Sequence, residues 1–376
     1  MNKRERLLTL WSTCSQIDAS AIKETQLLLD GTVFRKMADM VVLRKTKHYK
    51  ERRETNIGDY KTLYRFSAEN VTWLADYFLN DCTETRGGAL SPKMKMKIFL
   101  RCLANPGFQS GIAEELGVHQ STVSKVVTFV TTRVTAKVSS WIKFPHTEQD
   151  ILQALEDWQN VNHFPGVIGV IDCTHIRIEK PGRHGDEYIN RKGWPSINVQ
   201  ATCNAQEMFT SVDASWPGSV HDTRVWKNST IREVVQKFPN ASLLGDQGYG
   251  LELSLLTPYR NTDTEAKIHY NRLLKRERCI IERCFGQVKR RFPILKYICR
   301  LKLRRISRII ICCFIMHNIA KHLKDEKFPE EEDEDDTDEN DEDDNQNQHI
   351  PDNEMLQRAR VKRDEIADII VRRHLY

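Results

Sequence analysis

No stretch of the 376-residue chain is apolar for long enough to cross a membrane as a helix. The longest apolar run, residues 309–316 (IIICCFIM), falls far short of the ~20 residues such a span needs. The N-terminus starts basic, yet it has neither the compact apolar core nor the small-residue cleavage site of a secretory signal. A soluble intracellular protein without a membrane partner is therefore expected. There is no CxxC pair among the ten cysteines. Without an export signal they read as reduced core thiols rather than a disulfide frame. Cys279, Cys284 and His317 fit no familiar zinc spacing. No internal repeat is apparent. A composition of 40% hydrophobic and 29% charged residues is that of a globular chain, not a disordered or collagen-like one.

Charge is unevenly placed. The net charge is +5, but residues 325–345 hold fifteen Asp or Glu and one Lys, a net of −14, which leaves +19 on the remainder. A body that basic suits a polyanion partner. The acidic run repels itself and has little to bury, so it is expected to be disordered. It is either a competitor of DNA for the basic body or a solvated linker.

The pattern along the chain divides it into a basic N-terminal segment (1–60), a helical domain (61–160), an α/β domain (161–324), an acidic linker (325–350) and a C-terminal helix (351–376). Phe66, Val71, Leu74, Tyr77 and Phe78 recur at helix spacing. Ser91 and Pro92 open a further helix, and another is expected over 152–160. The texture changes at residues 166–178 (GVIGVIDCTHIRI), which are apolar and β-branched, as a buried strand requires. Residues 196–203 and 208–214 read as a strand pair about a turn at Asn204. Residues 242–244 form a short strand, and 265–291 and 303–324 are long helices. Such strands among helices imply an α/β layer fold.

Residues 109–129 (QSGIAEELGVHQSTVSKVVTF) match a helix-turn-helix. Ala113 is small where two helices cross. Gly117 falls four residues later, where the turn needs a positive φ. Val123 falls six residues after that, and Ile112, Leu116, Val118 and Val126 supply the shared apolar face. Ser121 is placed to cap the second helix. This helix would offer His119, Gln120, Thr122 and Lys125 to DNA, unless the unit is a hairpin used only for packing.

Three acids stand out. Asp172 lies on an apolar strand (IDCTH), where a charge is costly unless paired or holding a metal. Asp246 ends a second apolar strand (LLGDQGYG), with Gly245 and Gly248 leaving room beside it. Glu282, separated from Asp246 by thirty-five residues, lies on a helix (IIERCFGQVKRRF). Together they suit a pair of Mg²⁺ or Mn²⁺ ions ~3.5–4 Å apart, as two-metal phosphoryl transfer requires. Hard divalent ions prefer oxygen ligands. Any one acid alone reads as a turn former or a solvated side chain. Asp222 (WPGSVHDTRVW) is a fourth candidate, either a metal ligand or a helix N-cap. On the Glu282 helix, Ile281, Cys284, Phe285 and Val288 are expected to face the core. Arg278, Lys289, Arg290 and Arg291 lie near the glutamate or on its flank, suited to DNA phosphates. Tyr188, Asn190, Arg191, Lys192 and Trp194 (YINRKGWPS) form a basic-aromatic loop. It is either a grip on a DNA strand by charge and stacking or a solvated turn.

GVIDCTH, YINRKGWPSINVQ, WPGSVHDTRVW, LLGDQGY and IIERCFGQVKRRF resemble, in order and spacing, the motifs of the PIF/Harbinger DDE transposase superfamily and its Harbinger transposase-derived nucleases. CCFIMHNIA resembles that family's final core helix. The resemblance spans residues 60–324, including the helix-turn-helix. It implies an RNase H-like mixed sheet flanked by helices, with an N-terminal all-α helix-turn-helix domain. It also implies a divalent cation (Mg²⁺ or Mn²⁺) on Asp172, Asp222, Asp246 and Glu282, with Asp172, Asp246 and Glu282 catalytic. Location in the nucleus and also the cytoplasm is implied too, together with a Myb/SANT-like DNA-binding partner. The acidic run is not part of the shared pattern. The leading expectation is a metal-dependent DNA nuclease or strand-transferase. The alternatives are a catalytically silent DNA-binding adaptor on the same fold and an enzyme acting on RNA–DNA hybrids. The oligomeric state is left open.

Overall fold

A computed structural model describes residues 57–80, 90–105, 107–325 and 354–374. Most of the basic segment expected over 1–60, and most of the acidic linker, lie outside the described residues. Apart from Leu90, the described residues belong to one compact unit, residues 52–82 and 91–376.

The first half is helical. α1 (Ile57–Tyr64), α2 (Ala68–Leu79) and α3 (Pro92–Ala104) come first. Ser67 and Ser91 start α2 and α3 by accepting the N–H groups of Asn70 and Met94, and Pro92 stands in the first turn of α3, where its missing N–H costs nothing. α4 (Gln109–Glu115) and α5 (Gln120–Thr135) follow. Between them Gly117 has φ +66, a left-handed conformation that a side chain would strain. Ile112, Ala113, Val123 and Val126 are buried where the two helices meet. His119, not Ser121, occupies the cap of α5: its ring nitrogen accepts the Ser121 N–H at 3.2 Å, so Ser121 already lies inside the helix. α6 (Val138–Trp141) and α7 (Glu148–Val161) lead into the sheet, and a capping box of Thr147 and Asp150 opens α7.

The sheet has five strands in the order β3-β2-β1-β4-β5. β1 (Val167–Arg177), β2 (Ser196–Cys203) and β3 (Phe209–Pro217) are antiparallel neighbours. α8 (Asp222–Lys227) and α9 (Thr230–Gln236) then cross to β4 (Ser242–Leu244), which runs parallel to β1, and β5 (Leu255–Leu256) runs parallel to β4. α9 and β5 escape the sequence reading because each is at most seven residues long, too short to display a period, and α8 is legible only as the helix that Asp222 would cap. β3 runs to Pro217, beyond the expected end at 214. One core cluster joins Ile151 of α7, Ile168 and Ile171 of β1, Trp226 of α8, Val235 of α9 and Leu243 of β4. Each such side chain contributes roughly 1.5–3 kcal/mol by leaving water.

α10 (Glu265–Arg291), α11 (Leu303–His322) and α12 (Glu354–His374) complete the unit. α10 packs on β1, and α11 packs on both β3 and α5. On α11, buried Asn318 fastens the start of β3, accepting the Phe209 N–H at 2.9 Å and donating to the Phe209 carbonyl at 2.7 Å. Cys279, Cys284 and His317 go separate ways. The Cys279 thiol donates to the Lys275 carbonyl, Cys284 is buried beside Cys203, and the His317 ring donates to the Glu207 carbonyl. No helix among the described residues is long and apolar enough to cross a membrane.

Candidate active site

Strand register brings two of the acids together. Val170 of β1 lies opposite Leu244 of the parallel strand β4. Asp172, still in β1, and Asp246, in the loop just after β4, each stand two residues beyond that pair, near enough for the charge of Asp246 to act on Asp172. The Asp172 side chain is only 15% exposed. Its Oδ1 accepts the Cys173 N–H at 2.8 Å, and its Oδ2 accepts an Arg278 N–H at 2.8 Å. Burial pushes the Asp172 carboxyl above the usual range. Arg278 pulls it down, while the charges of Asp246 and Asp222 push it further up. Asp246 folds back to accept the Gly248 N–H at 3.1 Å.

Asp222 is the first residue of α8, with His221 at the cap position and no capping bond from its side chain. Asp222 itself is therefore not an N-cap. Its Oδ1 instead accepts Asn198 Nδ2 at 2.9 Å, and the same Asn198 group donates to the Val220 carbonyl at 2.9 Å. The loop before α8 can approach β2 this closely because of Gly218. A Cβ there would stand 2.2 Å from Ser196 Oγ and 2.5 Å from the Tyr188 carbonyl oxygen.

Glu282 comes from α10, and its side chain is 47% exposed. Arg278, one turn earlier, links it to the strands, giving one guanidinium nitrogen to Asp172 and the other to Glu282 Oε1. Burial disfavours the Arg278 cation, but Asp172, Glu282 and Asp246 outweigh that and hold it charged. Adjacent Glu277 is buried and fixes the helix. It accepts Trp158 Nε1 at 2.9 Å and the His163 N–H at 2.8 Å.

The residues expected to contact DNA lie on α5, on the 188–194 loop and on α10. His119, Gln120 and Lys125 are exposed on α5 and Thr122 is half-buried. Arg191 and Lys192 are exposed at the loop tip, where Gly193 turns with φ +80 and Arg191 pairs with His221, next to Asp222. Trp194 packs edge-on against His175, with Arg177 over its ring at 5.6 Å. Tyr188 is half-buried, and Asn190 is buried with its backbone closing that turn on Trp194. Lys289 and Arg290 are half-buried in the last turn of α10. Arg291 departs from the expectation. It is buried and binds the Arg65 carbonyl at 2.8 Å and Asp325 at 3.1 Å, because the helix period turns it inward from its two neighbours.

Asn198, Gln200, Tyr249 and Glu277 were not singled out from sequence. β2 reads SINVQATC, polar at every second position, a pattern that signals a solvated face. Yet all eight of its residues are buried. Gln200 and Tyr249 meet at 3.4 Å beside Cys173, whose thiol lies 3.2 Å from the Tyr249 hydroxyl. Burial holds the Cys173 thiol well above its ordinary value, so it stays neutral.

The donors suit a hard divalent ion: four carboxylates and no thiolate or charged imidazole among them. Asn198 Oδ1 adds a neutral oxygen, buried and without a hydrogen-bond partner, in the side chain that orients Asp222. As they stand, no three acidic, histidine or cysteine side chains among the described residues converge closely enough to hold an ion. Arg278 spans two of the four carboxylates.

A family model described as DDE superfamily endonuclease matches residues 171–318. The chain is 29% identical to human "Putative nuclease HARBI1" over 290 residues, covering 72% of this chain and 83% of that protein. It is 31% identical to the rat protein of that name over 267 residues, 69% of this chain and 76% of the relative. "Protein ALP1-like" of Arabidopsis thaliana is 24% identical over 303 residues, 74% of each chain. No solved structure matches.

Proposed function

The chain belongs to the Harbinger-derived nucleases of the DDE superfamily endonucleases, and from that membership we propose that it is a divalent-metal-dependent DNA nuclease of RNase H-like fold. The observation that carries this reading is the register. Asp172 on β1 and Asp246 just past the end of the parallel strand β4 each lie two residues beyond the Val170–Leu244 pair, and the charges of Asp246, Asp222 and Arg278 all act on the Asp172 carboxylate. Asp172, Asp222, Asp246 and Glu282 would hold Mg²⁺ or Mn²⁺. Bound there, the ions supply activation of water or a 3′-hydroxyl and stabilisation of the leaving oxygen. Asn198 orients Asp222, Glu277 anchors the helix that carries Glu282, and Gln200, Tyr249 and Cys173 form a polar cluster at the next position of β1. Strand transfer, with a 3′-hydroxyl in place of water, uses the same residues.

DNA is the partner this reading requires. α4 and α5 act as the helix-turn-helix, offering His119, Gln120, Thr122 and Lys125, while Arg191, Lys192, Lys289 and Arg290 contact phosphates near the acids. A Myb/SANT-like protein as DNA-binding partner, and residence in nucleus and cytoplasm, complete the proposal.

The test is Mg²⁺- or Mn²⁺-dependent cleavage of DNA carrying candidate element ends. Wild type should cut, and Asp172→Ala, Asp246→Ala and Glu282→Ala should each lose at least about 100-fold, the scale of removing one charge-stabilising group from an active site. Equal cleavage by all four proteins would defeat the reading. A second reading, a catalytically silent DNA-binding adaptor, draws on one observation: the carboxylates do not converge, and Arg278 occupies two of them. Metal binding with no cleavage of any DNA tested would favour it.

A further inference from the structure

The Arg278 guanidinium gives one N–H to Asp172 Oδ2 at 2.8 Å and another to Glu282 Oε1. Glu282 lies four residues away on the same helix, whereas Asp172 lies 106 residues away on β1. Both oxygens are thus engaged by the same guanidinium. A guanidinium and a metal ion on one carboxylate oxygen repel each other as like charges and compete for the same negative charge, so binding of the one weakens binding of the other. Arg278 is largely enclosed, with 22% of its side chain exposed. A cation of that kind, once displaced, needs another anion. The nearest anion such a protein meets is a DNA phosphate, which a planar fork donor matches bidentately.

We propose that Arg278 is a positioning residue that couples cation loading to DNA binding: it bridges Asp172 and Glu282 until a backbone phosphate draws it away, freeing both carboxylates for the ion. This rests on the carboxylate-site reading above. Coupling of this kind is reciprocal, so the ion also favours the phosphate-bound Arg278.

The experiment measures Mn²⁺ affinity by calorimetry, with and without a non-specific DNA duplex bearing phosphorothioate linkages to suppress cleavage. Wild type, Arg278→Gln, Arg278→Lys and Asp172→Asn are compared, and their folding is followed by circular dichroism. Wild type should bind Mn²⁺ about 10-fold more tightly with duplex than without, within the range usual for coupled sites. Without duplex, Arg278→Gln should bind Mn²⁺ about 10-fold more tightly than wild type, and duplex should then add less than about 2-fold. Arg278→Lys should fall between the two, because a single ammonium cannot span both carboxylates as the fork does. If Arg278→Gln folds and binds Mn²⁺ no better than wild type, or keeps the full effect of duplex, the proposal is overturned. Should the glutamine variant not fold, a lysine variant indistinguishable from wild type overturns it equally. Asp172→Asn separates the two layers. Undiminished Mn²⁺ binding there sinks the carboxylate site itself. Lost binding there, with Arg278 variants like wild type, sinks the coupling alone.

Discussion

Glu277 precedes Arg278 on α10, and its carboxylate takes two hydrogen bonds, a buried one from Trp158 Nε1 and a part-buried one from the His163 N–H. Burial raises the Glu277 carboxyl above its usual range, while these two donors pull it down. Removing the acceptor strands the buried Trp158 N–H away from water, whereas His163 is exposed, so Glu277→Ala should cost about 1–3 kcal/mol. Glu277→Gln, whose amide oxygen still accepts, should cost about 1 kcal/mol. Denaturant midpoints at constant slope measure both. A second group of residues sets the pH response. Burial disfavours the charge on Glu207, but Lys321, Gln287 and Arg283 outweigh it and hold the carboxyl down at about 2, against an ordinary 4.5. Burial likewise depresses His317 to about 4 from 6.5. In each case the unfolded chain takes up the proton first as pH falls, so both groups destabilise the fold on acidification. The His317 contribution is complete above 6.5 and is lost towards 4. The Glu207 contribution is complete above 4.5 and is lost towards 2. Thermal midpoints across pH should show this, and His317→Gln should flatten the upper part of the fall and leave the lower.

At the scale of elements, the loop from β3 to α8 is set by one missing side chain. Gly218→Ala forces a Cβ against Ser196 and the Tyr188 carbonyl, an overpacking that typically costs about 1–3 kcal/mol. The loop must retreat, taking Asp222 with it, so Mn²⁺ affinity should fall together with the thermal midpoint. Gly182→Ala, which meets nothing within 4 Å, should change stability by less than about 0.5 kcal/mol. Equal effects at the two positions would show that close approach at Gly218 is not what holds the loop. On the far side of the sheet, Lys362 of α12 donates to the Pro239 carbonyl and Ser242 Oγ at 2.7 Å each, and to the Leu253 carbonyl at 3.0 Å. Burial lowers this lysine to about 8. α12 therefore fastens to the chain around the start of β4 by polar contacts as well as by packing on α10.

The whole molecule pairs a body of +19 with a run of −14. DNA affinity should fall steeply with salt as counterions are released. If Lys289 and Arg290 face phosphates, replacing both by alanine should reduce the slope of log K against log salt by about 2 and weaken all sequences alike. An unchanged slope in a fluorescence anisotropy titration would take both residues off the DNA surface. Arg291, next in sequence, should leave the slope unchanged and lower stability instead, because it is buried on Asp325 and the Arg65 carbonyl.

The sequence alone determined what local periodicity and turn chemistry can carry. β1, β2 and β4, the long helices α10 and α11, the Gly117 turn and the apolar settings of Asp172 and Asp246 all follow from residues within a few positions of one another. Tertiary structure decided the rest, because the partners are distant in the chain. Asn198 and Gln200 look like a solvated face until neighbouring strands and α8 cover them. Asp222 looks like a cap until Asn198, twenty-four residues away, claims its carboxylate. Arg278 looks like a plain phosphate contact, and only the sheet, by bringing Asp172 across 106 residues of sequence, makes it a bridge between two carboxylates as well. A charge seeks the nearest opposite charge in space, and only the folded sheet fixes which one that is.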